Sequence, residues 1–190
     1  MAGLVTQKKR YQKLREDCRE RYDAIKDRLE LAFVHLFWDQ KLEPYAAFGL
    51  PLQWDFLCVP GIRGRMYSNP DDVEELRAPL HDMLRDRDLS FMEADHIGQA
   101  HETSIFGQQT TYDVLQKTYQ LMRLFTETGV NFDDLARVVE WGGGYGCMAK
   151  MLWRGMDEEG TYIGIDLPVV CVMQWLYLAT IFGEDTVNLL

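Results

Sequence analysis

Residues 142–146 contain four glycines, and Glu140 stands two positions before the first of them. Two β-branched residues, Val138 and Val139, precede this acid, so the segment predicts a buried strand that runs into a glycine-rich turn. Such a turn lets a ligand approach the backbone where any Cβ would collide. The segment therefore predicts a site for a small molecule with a carboxylate at its edge.

The spacing of the glycines separates two classes of cofactor. A dinucleotide-binding turn follows G-x-G-x-x-G, and its third glycine would stand where this chain has Cys147. The pattern present is E-x-G-x-G-x-G, from Glu140 to Gly146. A pyrophosphate would gain little from this acid, whereas the sulfonium and amino groups of S-adenosylmethionine would be attracted to it. The pattern favours S-adenosylmethionine, with a dinucleotide and a purely structural turn as the alternatives.

A second acid ends the next hydrophobic segment. Asp166 follows "TYIGI" and lies twenty residues after Gly146. A carboxylate there can accept hydrogen bonds from both hydroxyls of a ribose, each contributing about 1.5–3 kcal/mol. Strand, glycine turn, helix, strand and terminal acid in one order indicate a nucleotide-type cofactor more strongly than the glycines alone.

Strands and helices alternate from residue 135 onward. "ARVVEW" and "TYIGID" predict strands, and "GYGCMAKMLWRGM" between them predicts a helix. Pro168 opens a second, almost wholly apolar helix that Gly183 ends, and "TVNLL" predicts the beginning of a third strand. This order predicts an α/β fold with an incomplete, Rossmann-like parallel sheet of two to three strands.

The first part of the chain predicts a long helix from residue 6 to about 42. Its apolar residues recur at intervals of three and four and form one stripe: Tyr11, Leu14, Cys18, Tyr22, Ile25, Leu29, Phe33 and Leu36. Pro44 marks the end of this helix, and residues 43–69 read as an irregular connection. The stripe predicts core packing or a dimer contact.

Two further helices are predicted before the glycine turn. One begins at residues 69–70, Asn followed by Pro, and Pro79 should kink or divide it. The other opens with a capping box of Thr110 and Asp113 and ends at Gly129. The predicted organisation is a helical region over 1–130 and the N-terminal part of a cofactor-binding domain over 131–190.

Composition excludes several functional classes. The formal net charge of −10 argues against a nucleic-acid-binding protein, although residues 1–30 carry a balance of +3. The four cysteines and four histidines are dispersed and lack the spacing of a metal site. No apolar segment has the length of a signal peptide or a membrane span. We therefore expect a cytoplasmic protein with reduced thiols and no membrane partner.

"VVEWGGGYGCMAKML" and "TYIGIDLPVVCVMQWLYLATIFGED" together resemble the sugar O-methyltransferase family, which pairs an acid-x-G-G-G-Y-G turn with Y-x-x-x-D-L-P and a downstream Q-x-x-Y-L. The matching positions here are Glu140–Gly146, Tyr162, Asp166–Pro168 and Gln174–Leu178. The turn and "DLPVV" are also similar to O-methyltransferases that act on phenols. The resemblance covers roughly residues 100–190, and it implies S-adenosylmethionine as cofactor and a sugar or phenolic hydroxyl as acceptor.

The resemblance also implies roles for individual residues. Glu140 would reach the methionine end of the cofactor, and the backbone from Gly142 through Gly143 and Gly144 to Gly146 would lie against it. Asp166 would hold the ribose. These roles are implied by the family pattern and not by spacing alone.

Other positions carry weaker expectations. Leu167 would pack on the adenine, and Tyr145 would lie over the cofactor or pack at the start of the helix. His101, Glu102 and Gln108 would stand near the acceptor, in the segment that precedes the turn in the family.

The sequence departs from the family in two ways. It ends as a third strand begins, so we expect either part of a longer enzyme, a sheet that a second chain or a second copy completes, or N-terminal helices that fill the gap. No residue matches the family's catalytic base; His96 and His101 are the titratable candidates nearby, and Cys147 at a helix start is either a reactive thiol of lowered pKa or a packing residue. The alternative function is a non-catalytic, methyltransferase-derived assembly module.

Overall fold

The computed structural model describes residues 2–26, 50, 52–66 and 73–189. The described chain is of the mixed α/β class. Its helices are α1 (Ala2–Ile25), α2 (Pro60–Met66), α3 (Arg77–Leu84), α4 (Tyr112–Thr128), α5 (Cys147–Gly155) and α6 (Pro168–Phe182). Its strands are β1 (Glu102–Ile105), β2 (Gln108–Thr111), β3 (Arg137–Trp141) and β4 (Thr161–Ile165).

Strands β3 and β4 form a two-stranded parallel sheet, with α5 as the connection between them. Val139 lies beside Ile163 and Trp141 beside Ile165 in the register. The predicted order of strand, helix, strand and helix from residue 135 is therefore confirmed, and α6 begins at Pro168 as expected. Gly183 follows the last residue of α6, and its N–H donates to the carbonyl of Ala179.

The predicted third strand is wrong for the described residues. Residues 184–186 form a turn, and Val187 to Leu189 continue without a strand partner. Val187 and Leu189 are partly buried against the hydrophobic core, so their apolar side chains are accommodated by packing and not by pairing in the sheet. The parallel sheet contains two of the two to three strands that the sequence predicted.

The apolar stripe of the first helix is confirmed as far as residue 25. Tyr11, Leu14 and Cys18 are at most 1% exposed, and the Tyr11 ring lies edge-on to Trp54 at a centroid distance of 5.1 Å. The guanidinium of Arg10 donates to the carbonyls of Thr180 and Ile181 at 3.0 and 3.2 Å, which satisfies acceptors that the end of α6 leaves open. Helix α1 therefore packs against the apolar helix α6.

Several expectations fall on other parts of the first half of the chain. The helix beyond residue 26, its end at Pro44 and the helix start at residues 69–70 lie outside the described residues. Pro79 lies in the first turn of α3, where its missing N–H costs no helical hydrogen bond, and a turn at residues 75–76 precedes that helix. The helix predicted for this region is divided, but at residues 75–76 and not at Pro79, which lies within α3.

The capping box assigned to Thr110 and Asp113 is wrong by one residue. Thr111 is the N-cap of α4, and its hydroxyl accepts from the N–H of Val114 at 3.3 Å. The Thr110 hydroxyl is buried and donates instead to the carbonyl of Met92 at 2.7 Å. Gly129 ends α4 with a φ of 74°, as predicted.

A hairpin occupies the segment between the 3₁₀ turn Ile97–Gln99 and α4, where the sequence shows no clear period. Strands β1 and β2 pair antiparallel through Phe106 and Gly107, whose φ angles of 50° and 79° are both positive. Two positive φ angles in a two-residue loop are the mark of a type I′ turn. The hairpin leads directly into α4 and sets where that helix starts.

Candidate functional site

The glycine turn connects the carboxyl end of β3 to α5. Gly142, Gly144 and Gly146 have φ angles of 77°, 60° and 98°, a region that residues with a Cβ rarely adopt. The N–H of Gly142 donates to the carbonyl of Ile165 at 2.9 Å and so continues the pairing of the two strands. The three alternating glycines are therefore required by the path of the backbone itself.

Glu140 lies beneath this turn. Its Oε2 accepts a hydrogen bond from the hydroxyl of Tyr162 on β4, the strand beside β3. A Cβ added at Gly143 would collide with the same oxygen, so the absence of a side chain at this position is what lets the carboxylate reach the turn. Burial, and then the hydrogen bond to Glu140, raise the pKa of Tyr162 well above its ordinary range, which keeps this phenol a donor.

Asp166 lies directly after β4, at the same edge of the sheet as Glu140. Its Oδ2 accepts from the N–H of Gly144 at 3.2 Å and from Nε2 of Gln174 at 3.4 Å, and its Oδ1 accepts from the N–H of Leu167 at 2.8 Å. Burial raises the pKa of the Asp166 carboxyl, against the opposing effect of these backbone donors. The carboxylate thus ties the glycine turn to the start of α6.

Tyr145 points away from the turn into the interior. Its ring is 3% exposed and lies edge-on to Tyr177 at a centroid distance of 5.0 Å. Its hydroxyl donates to Oδ2 of Asp113 at 2.7 Å. The structure therefore gives the Tyr145 side chain the packing position, which was one of the two alternatives for this residue.

Cys147 is also a packing residue. The thiol is 2% exposed at the start of α5, and burial raises its pKa well above the ordinary range. The alternative of a reactive thiol with a lowered pKa is wrong, because the cost of burying a thiolate exceeds the stabilisation that the helix start offers.

An open cleft of about 180 Å³ lies between the glycine turn and two helices. On one side it is lined by Glu140, the backbone of residues 142–145 and Cys147. On the other side it is lined by Met66 from α2 and by Asp113, Gln116 and Lys117 from α4. The cleft joins residues that are remote in sequence, and it is where the structure brings the predicted acid and glycines together.

The α4 residues of the cleft were missed by sequence reasoning. Asp113 was assigned to a capping box, and Gln116 and Lys117 were not singled out. Their spacing of three and four places them on one face of a helix, and this polar face next to a predicted glycine turn is the signal that was available. Asp113 is 2% exposed, which is rare for an acid without a partner, and its partner is the Tyr145 hydroxyl of the turn.

The residues expected near an acceptor lie elsewhere. His101 and Glu102 are exposed at the start of the β1–β2 hairpin, and Gln108 begins β2. Glu102 contacts Nδ1 of His96, and Nε2 of Gln108 donates to the carbonyl of Gln109 at 3.2 Å. None of these side chains lines the cleft.

The charges of the cleft define what it can bind. Glu140 and Asp113 contribute two carboxylates, and Lys117 contributes one ammonium group. No group of histidine, cysteine and acidic side chains within the described ranges is arranged to hold a metal ion. The arrangement suits an organic ligand that carries positive charge near Glu140 and lies against a bare backbone.

Comparisons with protein families, with curated proteins and with solved structures gave no match for this chain. Among the described residues, no helix combines the length and the apolar character that crossing a lipid bilayer requires.

Proposed function

We propose that the glycine turn binds S-adenosylmethionine and that the chain is the cofactor-binding, Rossmann-like part of an O-methyltransferase acting on a sugar or phenolic hydroxyl. The observation that carries this proposal is the position of two carboxylates, Glu140 and Asp166, at the carboxyl ends of neighbouring parallel strands on either side of the turn. Ligands of open α/β sheets bind at this edge.

The residues of the turn fit such a cofactor. A Cβ added at Gly142 would meet no heavy atom within 4 Å, and one added at Gly144 would meet only Met66 Cγ at 3.9 Å. The backbone is therefore open to the cleft at these two positions. Glu140 is fixed by Tyr162 through one oxygen, and its Oε1 makes no hydrogen bond to a described residue, so it can accept from a cationic group of the ligand.

Asp166 fits a ribose in part. Three donors already use its oxygens, and a carboxylate has about four acceptor positions. It can hold one ribose hydroxyl without releasing the turn, and a second only by exchanging one of its present donors. Leu167 is half-buried at the start of α6 and packs against the hydrophobic core, and neither Leu167 nor Asp166 lines the cleft itself, so a ribose and adenine would have to extend beyond it.

When bound, S-adenosylmethionine supplies an electrophilic methyl group on its sulfonium. The residues of this chain bind and orient the cofactor, and Glu140 places negative charge beside its cationic end. We assign no catalytic base, because no titratable side chain of the expected acceptor segment reaches the cleft. Positioning of the acceptor is therefore the contribution we expect from the remainder of the site.

The test is a calorimetric titration with S-adenosylmethionine of the wild type and of Glu140→Gln. Glutamine keeps an acceptor for the Tyr162 hydroxyl and removes the charge, so we expect binding at least about tenfold weaker from the loss of a charge-assisted hydrogen bond. Glu127→Gln, an exposed position on α4, is the matched control and should bind like the wild type. Methyl transfer to a panel of sugars and phenols then tests the acceptor class.

Two results would overturn the proposal. One is the absence of saturable binding of S-adenosylmethionine to the wild type. The other is saturable binding of a nicotinamide dinucleotide that S-adenosylmethionine does not displace, which would establish the dinucleotide alternative. Asp166→Ala is informative only when its thermal unfolding is measured in parallel, because this residue also holds the turn to α6.

A second candidate function, an assembly module without catalysis, is favoured by one face of the parallel sheet. Val139, Trp141, Ile163 and Ile165 share this face and are 64%, 83%, 50% and 38% exposed. Parallel sheets are normally covered on both faces, and contiguous exposed apolar residues mark interaction sites. We propose a second copy as the occupant, because a two-fold contact sets the same four apolar side chains against each other.

Sedimentation at several concentrations tests this candidate. We expect association that increases with concentration and is weakened in the double variant Trp141→Ser with Ile163→Ser. Leu124→Ser, at a residue on α4 that is 53% exposed, is the matched control. A wild type that stays monomeric at every concentration would contradict the second-copy contact.

The cytoplasm is the compartment we propose. All four cysteines are free thiols in the structure, which suits a reducing environment.

A further inference from the structure

We infer that Lys117 binds the carboxylate of the cofactor's amino-acid end, opposite Glu140, so that the cleft selects a zwitterionic ligand. This inference rests on the proposed function, since it assigns one end of the proposed cofactor to a residue of α4. Neither the glycine pattern nor the family resemblance points to Lys117.

Lys117 lies on the α4 side of the cleft. Its side chain lines the same cleft as Glu140, but it comes from α4, on the side facing the glycine turn. The cleft therefore has the acid Glu140 on the turn side, and on the helix side the base Lys117 beside Asp113, which already accepts from the Tyr145 hydroxyl. A ligand that bridges the cleft meets both charges.

The acids of the cleft already have hydrogen-bond partners within the protein. Glu140 accepts from Tyr162 and Asp113 accepts from Tyr145, so both acids are held in place by phenols of the turn and the sheet. Lys117 is half-buried and makes no ion pair with any described residue. A lysine in this environment gains from an anion that a ligand brings, with a charge-assisted hydrogen bond of about 1.5–3 kcal/mol.

A ligand of this cleft must match charges of both signs. A purely anionic ligand would be repelled by Glu140 and Asp113, and a purely cationic one would be repelled by Lys117. A ligand with an ammonium and a carboxylate on one carbon satisfies both sides. The amino-acid end of S-adenosylmethionine has this pattern.

The experiment compares two ligands in four proteins. The ligands are S-adenosylmethionine and its decarboxylated form, which keeps the sulfonium and the amine but lacks the carboxylate. The proteins are the wild type, Lys117→Met, Lys117→Arg and Lys9→Met, the last removing an exposed lysine of α1 outside the cleft. Calorimetric titration gives the affinities, and thermal unfolding shows that each variant is folded.

We expect Lys117→Met to weaken S-adenosylmethionine at least tenfold and to leave the decarboxylated ligand no weaker, or tighter, because this cationic ligand is no longer repelled by Lys117. Lys9→Met should behave like the wild type, and Lys117→Arg should retain most of the affinity. The inference is overturned if Lys117→Met binds S-adenosylmethionine like the wild type, or if it loses both ligands equally. Failure of the wild type to bind either ligand would instead overturn the proposed function together with this inference.

Discussion

At the scale of single residues, Gly143 has the least room of the glycines in the turn. Its φ is not in the left-handed region, so alanine would not strain the backbone there. The added methyl would instead displace the Glu140 oxygen that accepts from Tyr162 and would also lie 3.2 Å from Nε2 of Gln174. Gly143→Ala should therefore lower the free energy of unfolding by about 0.5–1.5 kcal/mol, the net contribution of a hydrogen bond, because the half-buried Tyr162 hydroxyl loses its acceptor. Urea denaturation measures this change.

A double-mutant cycle separates this collision from a general effect on the turn. In a Glu140→Ala background the oxygen that collides is gone, so Gly143→Ala should cost clearly less than in the wild type. If the two substitutions are additive, the carboxylate is not in contact with position 143. The cycle therefore tests the position of Glu140 without any ligand.

Residues of the site were predictable from sequence where their order along the chain fixes their position. Glu140 lies near the end of β3, the alternating glycines follow that strand, and Asp166 follows β4. Parallel pairing of β3 and β4 alone brings these strand ends to one edge of the sheet. Lys117 and Asp113 reach the same cleft through the packing of α4 against the turn, and the polar face of α4 is the one local signal of that contact. The N-cap of α4 could not be assigned to one threonine from sequence, because Thr110 and Thr111 are equally good capping residues. The choice depends on the buried hydrogen bond that the Thr110 hydroxyl donates to Met92.

At the scale of elements, a buried ion pair fastens the segment before the hairpin to α5 and α6. Asp95 Oδ2 accepts from Lys150 Nζ at 2.9 Å and from the Tyr177 hydroxyl at 2.6 Å. The Lys150 and Asp95 side chains are 2% and 4% exposed. Lys150→Met should lower the free energy of unfolding by about 3–5 kcal/mol, because it leaves a buried carboxylate without its counter-charge. Thermal and urea denaturation measure the loss.

The control for the ion pair is another charged pair of the same chain. Arg123 and Glu127 pair on the exposed side of α4, at 51% and 61% exposure, and Arg123→Met should change stability little. Adding Asp95→Asn to Lys150→Met removes the buried charge and should recover part of the loss. A Lys150→Met variant as stable as the wild type would show that Asp95 finds water in this region.

The elements also differ in how far sequence predicts them. Strands β3 and β4 and the start of α6 carry strong local signals, namely β-branched runs, the glycine turn and Pro168. The β1–β2 hairpin was missed because its type I′ turn uses Phe106 in place of the usual asparagine or glycine at the first position. The expected third strand shares the composition of a strand, but the packing of Val187 and Leu189 against the core decides its conformation.

At the scale of the whole molecule, the described interior contains several thiols and phenols that folding keeps protonated. Burial raises the pKa of Cys18 to about 12 and raises those of Tyr11, Tyr145, Tyr177 and Cys147 well above their ordinary values. The unfolded chain loses these protons near the ordinary values, about 8.5 for cysteine and about 10 for tyrosine. Above pH ~8.5 the folded state therefore holds more protons than the unfolded state, and stability must fall as pH rises.

Cys18 isolates one contribution to this alkaline sensitivity. Between pH 8.5 and 10.5 its thiol alone should remove about 2 kcal/mol from the free energy of unfolding, since the loss is about 1.36 kcal/mol per pH unit once the unfolded thiol has ionised. Urea denaturation across this range should therefore show a smaller decline in Cys18→Ala than in the wild type, whatever the offset caused by the lost packing. Cys58→Ala removes an exposed thiol and should decline in parallel with the wild type. Parallel curves for Cys18→Ala and the wild type would contradict this prediction, because they would mean that the Cys18 thiol is solvated in the folded state.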